Sequence, residues 1–357
     1  MSNWVHRAIQ AINADFQRSA DTHLIRVDIP GCPDVDLYLK DESTHPTGSL
    51  KHRLARSLFL YGLCNGWIKE DTPIIESSSG STAVSEAYFA RLLKLPFIAV
   101  MPVGTSPKKV KAIEFYGGRC QFVEASMICE ASHKLASELK GHYMDQFTFA
   151  ERATDWRGNN NIAESIYEQM SKEPHPVPSW VVMSAGTGGT TATIGRYIRY
   201  DCHPTRLCLA DPENSVFARF FETRDPAVRC GRASRIEGIG RHRPEPSFKP
   251  DVIDRALIVK DEAAIAAIRV LENLLNRKCG GSTGTNLVAT WQIMSEMQRR
   301  GESGSVVTMI CDAGDRYLDT YYDNVWVASQ GLKPELATAM IERFVKNGAE
   351  LSELFVV

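Results

Sequence analysis

The chain has 357 residues, 43% of them apolar and 24% charged, with a net charge of -2. That length exceeds what one core usually serves, so two domains are expected, and the ordinary apolar share excludes wholesale disorder. No basic stripe marks a nucleic-acid binder, and no apolar run nears the roughly 18 residues of a membrane span, so a cytoplasmic protein free of nucleic acid and membrane is expected.

The first 21 residues are polar and mixed in charge, unlike a secretory signal. Val35–Leu39 reads as a strand, followed by a Pro/Gly turn and a helix over Leu50–Gly62. Pro73–Glu76 leads through a Ser/Gly loop into a helix over Thr82–Leu93. Strands are predicted again at Pro96–Met101 and Arg119–Val123, with helices after Ser106 and over Met127–Leu139. Phe147–Asn161 is polar and irregular enough to cross between domains. Trp180–Ser184 then reads as strand, 186–190 as a glycine loop and Thr191–Tyr200 as helix, with further strands at Leu207–Ala210 and Val306–Ile310. Residues 224–255 look like a long ordered loop over a site or a subunit contact, and one amphipathic helix closes the chain from about Lys333. Strands separated by helices predict an α/β protein with mostly parallel sheets. The expected division is an N-terminal domain over 40–150 and a larger one over 151–340, with 1–39 packing against the second.

The nine cysteines are odd in number and scattered, with no C-x-x-C. That pattern suits reduced thiols better than a disulfide frame, and no metal site is expected.

Three segments carry chemistry. In His45-Pro46-Thr47-Gly48-Ser49-Leu50-Lys51 a sharp turn precedes a helix that Ser49 can cap. Lys51 then lies in the first helical turn, whose dipole disfavours an ammonium and so favours an amine able to form an imine. The heptapeptide by itself also fits a surface lysine. Ser184-Ala185-Gly186-Thr187-Gly188-Gly189-Thr190 follows a strand and opens a helix, a combination that closes backbone N–H groups on a phosphate. The same loop, with Asp211 after the next strand, also fits a dinucleotide fingerprint and hence an NAD-dependent dehydrogenase. Against that reading, the sixth motif position is Thr191 and Asp211 is followed by Pro212. Finally, Ser77-Ser78-Ser79-Gly80-Ser81-Thr82-Ala83 opens a helix and could bind a substrate carboxylate, or be a plain serine-rich cap.

Taken together, these segments resemble the cysteine synthase/cystathionine β-synthase family of pyridoxal-phosphate enzymes (fold type II), over about Lys40 to Tyr317. The resemblance is carried by Lys40-Asp41-Glu42, the 45–53 segment, 78–83, Gly186–Thr190, Gln146-Phe147, Glu237-Gly238-Ile239-Gly240 and Gly314-Asp315-Arg316-Tyr317. It implies two α/β domains with pyridoxal 5'-phosphate between them, the cofactor bound to Lys51 and its phosphate to Gly186, Thr187, Gly188, Gly189 and Thr190. It also implies a substrate carboxylate at Ser78, Ser79, Gly80 and Thr82, with Gln146 nearby, and a homodimer. Two departures stand out. The family's asparagine facing the phenolic oxygen is Ser81 here, and the serine at the pyridine nitrogen is replaced by Asp312 or Ala313, with Asp312 favoured. The string 78–91 resembles the L-cysteine desulfhydrases of this fold, implying elimination of sulfide from L-cysteine. Cysteine synthase-type replacement, O-acetylserine plus sulfide to cysteine, would use the same residues. A non-catalytic cofactor-binding partner protein is the remaining alternative.

Overall fold

The computed structural model describes residues 3–356. Among the described residues ten strands form in chain order: β1 (Leu24–Val27), β2 (Val35–Asp41), β3 (Ile74–Ser77), β4 (Phe97–Pro102), β5 (Arg119–Val123), β6 (His142–Tyr143), β7 (Trp180–Met183), β8 (Arg206–Pro212), β9 (Arg255–Val259) and β10 (Gly304–Ile310). The chain divides into two units, one running up to Asp21 and then His45–Asp155, the other Thr22–Thr44 and Trp156 onward.

The first unit holds the sheet β5-β4-β3-β6, in which every pair is parallel. Its central strands β3 and β4 are almost wholly buried, which is why Ile74-Ile75 and Ala99-Val100-Met101 read as continuous apolar runs rather than an alternation. The core gathers Ile74, Phe97 and Ala99 with Leu58, Phe59 and Phe89 of the helices Lys51–Cys64 and Ser81–Leu93. The helix Asn3–Gln17 contributes Val5, Ala8 and Ile12 to that same core. It therefore packs in the first unit, whereas residues 1–39 were expected against the second; the second unit takes β1 and β2, and with them residues 40–44 that the expected 40–150 domain had included.

The second unit holds β1-β2-β10-β7-β8-β9, parallel except for the antiparallel edge strand β1. The helix Gly281–Arg299 is buried on nearly every face, so it shows no polar stripe and escaped the periodicity reading. A Cβ at Gly284 would lie 1.9 Å from the Ala264 carbonyl oxygen, so only glycine lets this helix cross Asp261–Leu275 so closely. Lys40, in the middle of β2, is fully buried, and its Nζ donates to the Thr22 carbonyl (2.8 Å) and to Gln169 Oε1 (2.7 Å). Its neighbour Asp41 accepts both ends of the Arg277 guanidinium at 2.8 Å, and Glu42 accepts from Thr22 Oγ1. The Lys40-Asp41-Glu42 motif thus locks this unit's own strand to its loops.

The expected 147–161 crossover is half helix. Gln146–Ala153 is helical because Asp145, at φ 45°, caps it by accepting from the Thr148 N–H, and only residues 154–161 are irregular. Among the described residues no helix is long and apolar enough to cross a membrane.

Candidate active site

In the first unit the segment before Lys51 folds as the sequence predicts up to its last residue. Gly48 takes φ 70°, and its N–H closes the turn on the His45 carbonyl at 2.7 Å. The helix begins at Lys51 with Leu50 as its cap residue, one position later than expected; Ser49 Oγ accepts the Lys51 N–H at 3.1 Å. Lys51 is half-buried. Thr47 Oγ1 meets Ser85 Oγ at 2.9 Å and His52 Nδ1 at 3.2 Å, so the lysine turn is tied to the helix Ser81–Leu93. Ser85 was not singled out by its sequence, and a serine on a buried helix face was the available signal.

That helix opens with the 77–82 loop. Gly80 is extended at its cap, the Gly80 N–H donates to Ser78 Oγ at 3.2 Å, and residues 78–81 are partly open while Thr82 is buried. Thr82 Oγ1 donates to Gln146 Oε1 at 2.8 Å, which brings together two residues that lie far apart in sequence. Gln146 is in turn fixed by its backbone N–H, which donates to Glu76 Oε2 (3.2 Å). Glu76 also accepts from the Ser77 N–H at 2.6 Å and from Ser77 Oγ at 3.1 Å. Burial pushes the Glu76 carboxyl up to about 7 despite these three donors. Glu86, fully buried on the same helix as Thr82, faces Glu76; burial first and then that neighbour raise it well above the usual carboxylate range. Sequence reasoning missed both acids, because a glutamate within a strand or helix carries no motif.

In the second unit the loop 184–190 links β7 to the helix Gly189–Tyr200. Gly188 takes φ 88°, and a Cβ there would lie 2.6 Å from Phe248 Cα, so glycine is required on both counts. The Gly240 N–H donates to the Ala185 carbonyl at 2.9 Å. The segment around 238–248, within the long loop expected to lie over a site, therefore packs on the glycine turn. Thr187 is buried with its Oγ1 accepting the Gly189 N–H, while Gly186 and Thr190 stay partly open. First-turn N–H groups of a helix have no carbonyl four residues back, and an anion can take them.

Asn286 braces the strand end before this loop. Its Oδ1 accepts the Ser184 N–H at 2.6 Å, and its Nδ2 donates to Cys311 Sγ at 3.3 Å. The next residue, Asp312, is buried and accepts from the Tyr317 hydroxyl at 2.6 Å. A Cβ on Gly280 would fall 1.9 Å from Asp312 Oδ1, so the carboxylate uses space that only glycine leaves. Ala313 is occupied in a bridge to Cys279 and offers no polar atom beyond its backbone.

Asp211 is different. It is fully buried at the end of β8, where its Oδ2 accepts the Ala218 N–H at 2.8 Å, and burial raises its carboxyl to about 7. An acid that caps its own loop without exposure cannot hold a ribose, which removes the support for a dinucleotide fingerprint.

The residues present fit pyridoxal phosphate: a glycine cradle at a helix start for a phosphate, a buried carboxylate suited to a pyridinium, and a lysine on a fixed turn. Residues 17–312 match the family described as pyridoxal-phosphate dependent enzyme, and the chain belongs to that family. It is 59% identical over 350 residues to the L-cysteine desulfhydrase Cds1 of Mycobacterium tuberculosis (strain ATCC 25177 / H37Ra), covering 97% of this chain and 95% of that protein. A Caenorhabditis elegans protein named as pyridoxal-phosphate dependent is 30% identical, covering 91% of this chain and 81% of its own. Among solved structures, O-ureido-L-serine synthase shares the fold with a TM-score of 0.76 at 22% identity, covering 89% of this chain and 95% of its own.

Proposed function

We propose that the protein is an L-cysteine desulfhydrase, converting L-cysteine and water to sulfide, pyruvate and ammonia. The observation that supports this reading is the Thr47–Ser85 contact, which ties the Lys51 turn to the helix that the 77–82 loop opens. The 59% identity to a desulfhydrase over nearly the whole chain supports the choice of substrate.

In this reading the loop N–H groups and hydroxyls of Ser78, Ser79, Gly80 and Thr82 bind the substrate carboxylate, with Gln146 holding Thr82 in place. Lys51 would hold the cofactor through its Nζ, and the same amine would remove the substrate's α-proton. Pyridoxal phosphate, when bound, supplies an electron sink for the charge left on the α-carbon, allowing sulfide to leave the β-carbon. Gly186, Thr187, Gly188, Gly189 and Thr190 would hold its phosphate. Asp312, oriented by Tyr317, would keep the pyridine nitrogen protonated, and Ser81 would serve the phenolic oxygen. A homodimer in the cytoplasm accompanies this reading.

The test is release of pyruvate and sulfide from L-cysteine by the holoenzyme, with Lys51→Ala alongside. Equal release of both products by the parent protein, and none by the variant, is the expected result. No release by the parent, with O-acetylserine and sulfide consumed instead, would replace the elimination with β-replacement. Unchanged absorbance and turnover in Lys51→Ala would remove Lys51 from the mechanism.

A further inference from the structure

Burying one carboxylic acid is costly, and burying two side by side is more so, unless a proton is retained between them. Glu76 and Glu86 are both fully buried in the core of the first unit. Among the described residues, neither Glu86 oxygen has a hydrogen-bond partner. Glu76 is the opposite, taking the Ser77 N–H, the Ser77 hydroxyl and the Gln146 N–H. Those donors all serve an ionised acceptor, so a proton held by the pair belongs on Glu86 and points at Glu76.

The contacts close a ring. Glu76 fixes Ser77, where the 77–82 loop starts, and the Gln146 backbone; the Gln146 side chain fixes Thr82, where the loop ends. Thr82 and Glu86 are four residues apart on one helix, hence on one face, which returns the ring to its acid pair. Ser85 meanwhile holds the lysine turn from the neighbouring position.

We propose that Glu86 is a positioning residue: its proton, shared with Glu76, sets the geometry of the 77–82 loop and through it the affinity for the amino-acid carboxylate. This rests on reading that loop as the carboxylate site. Glu86 is fully buried, so it acts on binding more than on turnover.

The test compares Glu86→Leu, which removes the proton at similar volume, with Glu86→Gln, whose amide can still donate to Glu76. L-Alanine is the binding probe, because it has nothing to lose from its β-carbon; its affinity is read from the change in the holoenzyme's visible absorbance. Glu86→Leu should weaken L-alanine and raise the KM for L-cysteine about tenfold, with kcat changed less than about threefold, whereas Glu86→Gln should stay within about twofold of the parent. L-Alanine affinity unchanged in Glu86→Leu, or equally weak in both variants, overturns the proposal. Should Glu86→Leu not fold, infrared difference spectra of the parent minus Glu86→Gln decide: a protonated-carboxyl stretch present in the parent at neutral pH is expected, and its absence overturns the proposal. A parent protein that binds L-alanine but releases no sulfide from L-cysteine would sink the desulfhydrase reading and leave this one standing.

Discussion

The two loops that open helices in the two units are held in shape by different means. The 186–190 loop is built from backbone: a left-handed Gly188 pressed against Phe248, a helix start, and one braced N–H at Ser184. The 77–82 loop is held by side chains: Ser78 Oγ accepts the Gly80 N–H, Thr82 Oγ1 donates to Gln146, and the buried Glu76 accepts the Gln146 N–H. A backbone cradle tolerates no added atom, whereas a side-chain network can be retuned one hydroxyl at a time. This is consistent with where the chain departs from its family pattern: G-T-G-G-T is intact at 186–190, and the substitution Ser81 falls in the other loop.

The sharpest way to break the contrast is Gly188→Ala. Its Cβ meets backbone atoms of Ser247 and Phe248 within 3 Å at a positive φ, so neither side can yield cheaply. A loss of about 2–4 kcal/mol in unfolding free energy is expected, together with cofactor that no longer survives desalting. Retained absorbance and stability would show that the cradle is softer than its packing implies.

A milder effect is expected from Thr82→Val, which leaves the Gln146 Oε1 acceptor without its donor in a buried setting. The KM for L-cysteine should rise about fivefold to tenfold while the cofactor spectrum stays as in the parent. A kinetic titration against unchanged absorbance separates the two loops directly.

The smallest effect concerns the end of β8, a third strand end held by a buried polar group. Asp211 titrates near 7 when folded, against about 4 for an unfolded aspartate, so the native state binds its proton more tightly. Its contribution to stability is present below pH about 4 and fades as pH rises through 7. Asp211→Asn, which mimics the protonated form, should flatten that part of the stability–pH curve. A curve of unchanged slope in chemical unfolding at pH 5 and 8 would contradict the burial argument.

Much of the candidate site's local backbone was legible before the structure. Gly48, Gly188 and the helix starts after both loops could be read because turn geometry leaves glycine as nearly the only solution. The helix Gly281–Arg299 was not, since a helix buried all round has no polar face to give it a period. Glu76, Glu86, Ser85 and Asn286 escaped for a related reason. Each sits inside a regular element with no local signature, and its meaning lies in a partner that is remote in sequence or, for Glu76 and Glu86, in burial.

What the sequence by itself determined is local or additive: alternating strands and helices, the turn before Lys51, the glycine cradle and, through resemblance, the cofactor. Those properties depend on backbone sterics and on motifs within a few residues. Only the tertiary structure decided that the first helix packs with the N-terminal unit, that Asp211 caps its own loop, and that two glutamates meet in one core. These depend on which surfaces exclude water together, and burial sets both the partner and the charge of a carboxyl.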